Sequence, residues 1–234
     1  MHRRSILTLA LTALVSWPMP GGAQGMSMPT ARPTAAPLNA AEASFYERAS
    51  AALQRLYPNP AAAEKAGYFR FSNEDNTGAI SYVDTNYFNT PEVSHPQQLW
   101  YDVKGRLLGG DFSQTVAAHP EPTLFDLQRV RFHHVPLHVH FGLKSADGSI
   151  RYGLYVSAAA YTASGGDPLH PTAEGLVKMG KAASPGQVAF VFALVENWDA
   201  QMWLIPNPAG QFADANPNVK PSATQGGGSG ESQM

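Results

Sequence analysis

Leu127–Ala160 reads LQRVRFHHVPLHVHFGLKSADGSIRYGLYVSAAA, and its alternation of apolar and polar residues predicts two long β-strands. Ser145-Ala146-Asp147-Gly148 separates them. Asp-Gly between alternating runs signals a hairpin, because glycine accepts the positive φ of a tight turn without steric cost. Side chains alternate along a strand, so Val135, Leu137, Val139, Phe141 and Leu143 share one face. His134, Pro136, His138, His140 and Gly142 share the other. On the returning strand Ile150, Tyr152, Leu154, Val156 and Ala158 form the apolar face, and Arg151, Gly153, Tyr155, Ser157 and Ala159 the opposite one. A register change of two residues leaves these sets intact, so His138 and His140 should face a pair drawn from Gly153, Tyr155 and Ser157.

Upstream, Asn39 and Glu42 form a capping-box pattern ahead of a helix over Ala40–Leu56. Phe45, Ala49, Ala52, Leu53 and Leu56 recur on one face of it, and Tyr57-Pro58-Asn59-Pro60 stops it. A short helical turn over Ala61–Ala66 should end at Gly67. Two hairpins are expected next, Tyr68–Ser72 with Ala79–Asp84, then Gln98–Val103 with Arg106–Phe112.

Downstream, Tyr161–Gly186 is a long polar connection carrying Asp167, His170 and Glu174, placed to close over the histidine face. Gln187–Val195, QVAFVFALV, is apolar on both faces and is expected to be a central buried strand. The sum is an α+β domain: a curved antiparallel sheet with a barrel-like tendency, built from hairpins, with the N-terminal helix packed on it. Residues 39–212 form that single domain, residues 24–38 a Pro/Ala-rich linker, and residues 213–234 a disordered tail.

Charge excludes several roles. Sixteen Lys and Arg against 18 Asp and Glu give a net charge of −2, with no basic surplus for a phosphate backbone, so no nucleic-acid partner is expected. His2-Arg3-Arg4, the apolar run Ile6–Trp17 and the small residues Gly21-Gly22-Ala23 form a cleavable signal peptide over residues 1–23. The paired arginines also fit a twin-arginine signal, and either route leads to a periplasmic or secreted protein. No later run is long enough for stable membrane insertion. Cysteine is absent, which removes disulfides and thiolate ligands. Oligomeric state is not fixed by anything in the sequence.

Imidazoles at i and i+2 of a strand lie about 7 Å apart on one face, a spacing that two ligands can share across one ion. His138 and His140 are therefore candidate ligands for zinc, iron, manganese or copper. His134 lies about 13 Å from His138 in a straight strand and joins them only if Pro136 bends the chain. Glu196 and His170 are the further candidate ligands, with Glu174, His119 and Glu121 behind them. Tyr155 and Glu196 are the candidates for acid–base or supporting roles, should the site be catalytic. His133 points to the apolar side and reads as a satisfied core or edge histidine. The bland alternative for these histidines is a solvent-facing sheet surface or a polar part of the core.

His138-Val139-His140 resembles the metal-binding strand of cupins and carbonic anhydrases, over these three residues alone. The Glu that a cupin would carry a few residues later is replaced by Lys144, Ser145 and Ala146, so no family or activity is carried over.

Asn73, Asp75, Thr77, Gly78 and Asp84 fall at calcium-loop positions, but Asn stands for the first acid and Asp for the bidentate Glu. A hairpin turn is the reading taken there, and calcium is disfavoured. A non-catalytic exported module holding a small ligand between Trp100, Trp198 and Trp203, without metal, is the alternative function.

Overall fold

Asn39 opens helix α1 (Ala40–Leu56) with the expected reciprocal cap: its side chain accepts from the Glu42 N–H, and its own N–H donates to the Glu42 carboxylate. The computed structural model of the chain describes residues 37–223. Phe45, Ala49 and Leu53 of α1 pack on Leu99, Tyr101, Phe112, Ala200 and Met202. Asn59 caps the short α2 (Pro60–Lys65), where Pro60 stands in the first turn, a position needing no backbone donor.

The described strands, β1 to β9 in chain order, form two antiparallel sheets. The larger runs β1 (Phe69–Arg70), β2 (Ile80–Val83), β3 (Gln98–Tyr101), β4 (Leu107–Thr115), β9 (Asn197–Trp203), β5 (His133–Val135). The smaller runs β7 (Ile150–Ser157), β6 (His138–Lys144), β8 (Val188–Leu194). The fold is α+β with an N-terminal helix on the larger sheet, and the sheets do not close into a barrel.

The long first strand of the expected hairpin is cut in two. β5 pairs with β9 in the larger sheet, whereas β6 pairs with β7 and β8 in the smaller one. Pro136 lacks an N–H for a ladder, and Pro136-Leu137 is where the chain changes sheets. The tip behaves as expected: Gly148, at φ 83°, donates to the Ser145 carbonyl.

Burial also reverses one expectation. β6 is the central strand of the smaller sheet, and β8, expected at a centre, lies at its edge. Helix α3 (Ala158–Ala163) opens the 161–186 connection, and α4 (Ala173–Lys178) lies within it. Tyr161, Leu176 and Ala182 join Val139, Phe141, Leu143 and Val156 in one apolar cluster. The connection therefore covers the apolar face of the smaller sheet and not the histidine face. The preference is hydrophobic: a face of Val, Phe and Leu gains more from being covered than a polar one.

Residues 213–223, within the stretch expected to be a tail, pack on the domain. Trp203 Nε1 donates to the Ala213 carbonyl at 2.7 Å, and Asn216 Nδ2 to that of Ile205 at 3.1 Å. Val219 joins Trp100, Leu108 and Trp203. The sheets are also tied directly: the Gly153 N–H at the β7 edge donates to the Phe71 carbonyl just after β1.

Candidate functional site

His138 and His140 come from the middle strand of the smaller sheet, where one sheet face receives both rings. They are 9% and 2% exposed, which removes the wet-face reading for this pair. Their Nε2 atoms stand 2.9 Å apart, and their ring centroids 4.7 Å. His138 Nδ1 lies 2.7 Å from the Pro136 carbonyl, so Nδ1 carries the proton and donates, and Nε2 keeps a lone pair. His140 Nδ1 faces the Leu154 backbone without forming a well-shaped hydrogen bond.

Two sp² nitrogens cannot hold lone pairs against each other at that distance. A proton or a cation must lie between them. Burial pushes both imidazoles below the usual histidine range, partly offset at His138 by the Pro136 carbonyl. His140 is driven well below it, first by burial and then by the neighbouring His138. Both are therefore neutral at neutral pH, the state a metal ligand needs.

The surroundings are aromatic. Phe71 meets His140 edge-on at 4.9 Å, and Phe192 stacks on it at 5.4 Å and 17°. Tyr155, directly across from His140 in the ladder, lies 5.6 Å from the His138 ring and 5.8 Å from the His140 ring. Phe69, Phe190 and Tyr152 extend this wall outward, and Arg70 sits 4.5 Å over Tyr152.

The other expected residues go elsewhere. His134 lies on β5 in the larger sheet, exposed, with Nε2 2.8 Å from Glu196 and its ring 5.0 Å from Trp198. It does not join the pair, because the sheet change at Pro136 separates them. Glu196 is held by His134 and is exposed. His170 pairs with Asp167 on the connection that covers the opposite face. Glu174 is exposed in the first turn of α4, and Glu121 pairs with Arg129 at 3.5 Å. His119 offers its carbonyl to Trp198 Nε1. Among the described residues, no three His, Asp or Glu side chains converge as a ready ligand set.

His133 pairs with Asp214 at 2.7 Å, as an edge histidine should. Asp75 accepts from the N–H groups of Thr77 and Ala79, making the expected turn, and Asp84 caps the next one through the Asn86 N–H. Of the three tryptophans named for a ligand cradle, Trp100 and Trp203 pack on each other in a buried cluster. Trp198 lies half-buried under Arg129, at 4.1 Å.

Phe71 and Phe192 were not legible as site residues. Phe71 lies just after β1, far away along the chain and with no local signal, and Phe192 reads as core until β8 is known to pair with β6. No protein-family model, curated protein or solved structure matches the chain.

Proposed function

We propose that this chain is an exported protein that binds a divalent transition metal, zinc, iron, manganese or copper, through His138 and His140. The carrying observation is the 2.9 Å approach of two Nε2 atoms inside the domain. With metal–imidazole bonds of about 2.0–2.1 Å, that spacing corresponds to an angle of roughly 90° at an ion. A small ring rotation opens it to the wider tetrahedral spacing. The Pro136 carbonyl orients His138 in the way an outer partner fixes the tautomer of a ligating histidine.

With no third His, Asp or Glu at hand among the described residues, the remaining positions fall to water or a small molecule, beside the Tyr155 ring. An open position of this kind is what a metalloenzyme uses, with Tyr155 as the candidate acid–base group. Export rests on His2–Ala23, which lie outside the described residues. No described helix is long and apolar enough to cross a membrane.

A second reading is a metal-free ligand-binding module, supported by the partly exposed wall of Phe69, Tyr152 and Phe190 beside the pair. Metal analysis of protein purified without a histidine tag separates the two. One equivalent of metal, lost in His138→Ala/His140→Ala, supports the first. Failure to retain any of the four ions after reconstitution overturns it.

A further inference from the structure

β8 runs Val188-Ala189-Phe190-Val191-Phe192-Ala193-Leu194, apolar on both faces, yet it is hydrogen-bonded on one side only, to β6. Among the described residues, nothing pairs with its outward backbone groups. Val188 to Ala193 are half-buried, on both faces alike. Edge strands ordinarily carry charges or proline to block further pairing, and this one carries neither. The ladder with β6 slips once, at Ala189, which leaves Phe190–Leu194 as the regular edge.

We infer that β8 pairs antiparallel with β8 of a second copy of this chain, across a two-fold axis at Phe192. A sequence built for a sheet centre then lies at one: the two three-stranded sheets join into a six-stranded sheet. Phe192 meets the same residue of the other copy, Phe190 meets Leu194, and Val191 meets Ala193. Glu196 falls opposite Val188, so no like charges oppose.

The chain beyond the described residues offers no better occupant. Residues 24–36 are interrupted by Pro29 and Pro33, and residues 224–234 contain four glycines. Those segments also start elsewhere, at Pro37 beside Arg131 and after Ser222, which is held by Glu74. The apolar run Ile6–Trp17 belongs to the expected signal peptide. The dimer places both histidine pairs on one side of the joined sheet, their strands about 14 Å apart. It also covers Phe192, the ring stacked on His140.

Sedimentation of the exported, purified protein from low micromolar to submillimolar concentration should give twice the chain mass. Ala193→Lys, which puts a charge on the edge, should give a folded monomer. Since the chain has no cysteine, Phe192→Cys should crosslink as a dimer on oxidation, whereas Val103→Cys, 49% exposed in the β3–β4 turn, should not. A wild-type monomer throughout the range overturns the inference. So does a folded Ala193→Lys that remains dimeric. If Ala193→Lys does not fold, the two cysteine variants decide, and equal crosslinking of both overturns it.

Discussion

Glu42 and Arg131 form a buried two-pronged pair, Nε to Oε1 at 2.8 Å and Nη2 to Oε2 at 3.1 Å. Glu42 also accepts from the Asn39 N–H at 3.0 Å and from Gln128 Nε2 at 2.9 Å. The carboxylate that caps α1 thus fastens the helix to the turn before β5, the start of the approach to the histidine strand. A buried pair broken on one side leaves an uncompensated charge. Arg131→Met should cost about 3–5 kcal/mol in urea unfolding, and adding Glu42→Leu should recover most of it. A single-variant loss near zero would show the pair to be solvated.

The same carboxylate sets an acid limit. Burial alone would raise the Glu42 pKa, but hydrogen bonds from Arg131, the Asn39 N–H and Gln128 outweigh it and hold the group at about 2, below its ordinary 4.5. The folded value lies below the unfolded one. Its contribution is therefore complete above 4.5 and is lost as pH falls toward 2. The shift corresponds to about 3 kcal/mol. Glu42→Gln should flatten the stability profile across this window, and an unchanged slope would assign acid lability to other groups.

Metal retention should distinguish the two histidine environments. His138→Ala or His140→Ala should release the ion, while His134→Ala should keep it, because His134 is engaged with Glu196 on the other sheet. Chelation should lower the melting temperature of the wild type and not that of the His138→Ala/His140→Ala protein. Equal loss from all three single variants would refute the assignment.

Gly142 lies under the Phe190 ring, where an added Cβ would come within 2.4 Å of ring carbon. Gly142→Ala should cost about 1–3 kcal/mol through overpacking. Gly142→Ala/Phe190→Leu should cost less than the two single changes added together, since the smaller side chain yields the space. Strict additivity in equilibrium unfolding would mean that the ring moves aside freely.

Tyr161 fastens the long connection: its hydroxyl accepts from the Thr172 N–H at 2.8 Å, and the residue is 1% exposed. Tyr161→Phe should cost about 1–2 kcal/mol by leaving that N–H without its partner. Limited proteolysis within residues 162–186 should quicken before global unfolding does. Cleavage at the wild-type rate would assign the anchoring to Leu176 and its neighbours instead.

Local chemistry made much of this architecture readable. The bounds of α1 followed from Asn39, Glu42 and the prolines after Tyr57, because caps and breakers act within a turn of helix. The hairpins β1–β2, β3–β4 and β6–β7 followed from alternation and turn residues. The pairing of His138 with His140 on one face followed from strand geometry alone. What failed was non-local. Pro136 was visible as a breaker of the ladder, but nothing nearby says that the chain leaves one sheet for another there. That β8 lies at a sheet edge within one chain is not legible either, because apolar residues on both faces indicate cover without naming what supplies it.

By itself, then, the order of residues determined the helix, the turns, the sheet faces and the two side-by-side imidazoles, all of which depend on neighbours a few positions away. Tertiary structure alone decided that these rings are buried and 2.9 Å apart, that Phe71 and Phe192 enclose them, and that His134 and His170 stand elsewhere. Those outcomes depend on which sheet each strand joins. That choice is made by matching whole apolar faces across long stretches of chain, a sum of many small burial terms that no short motif encodes.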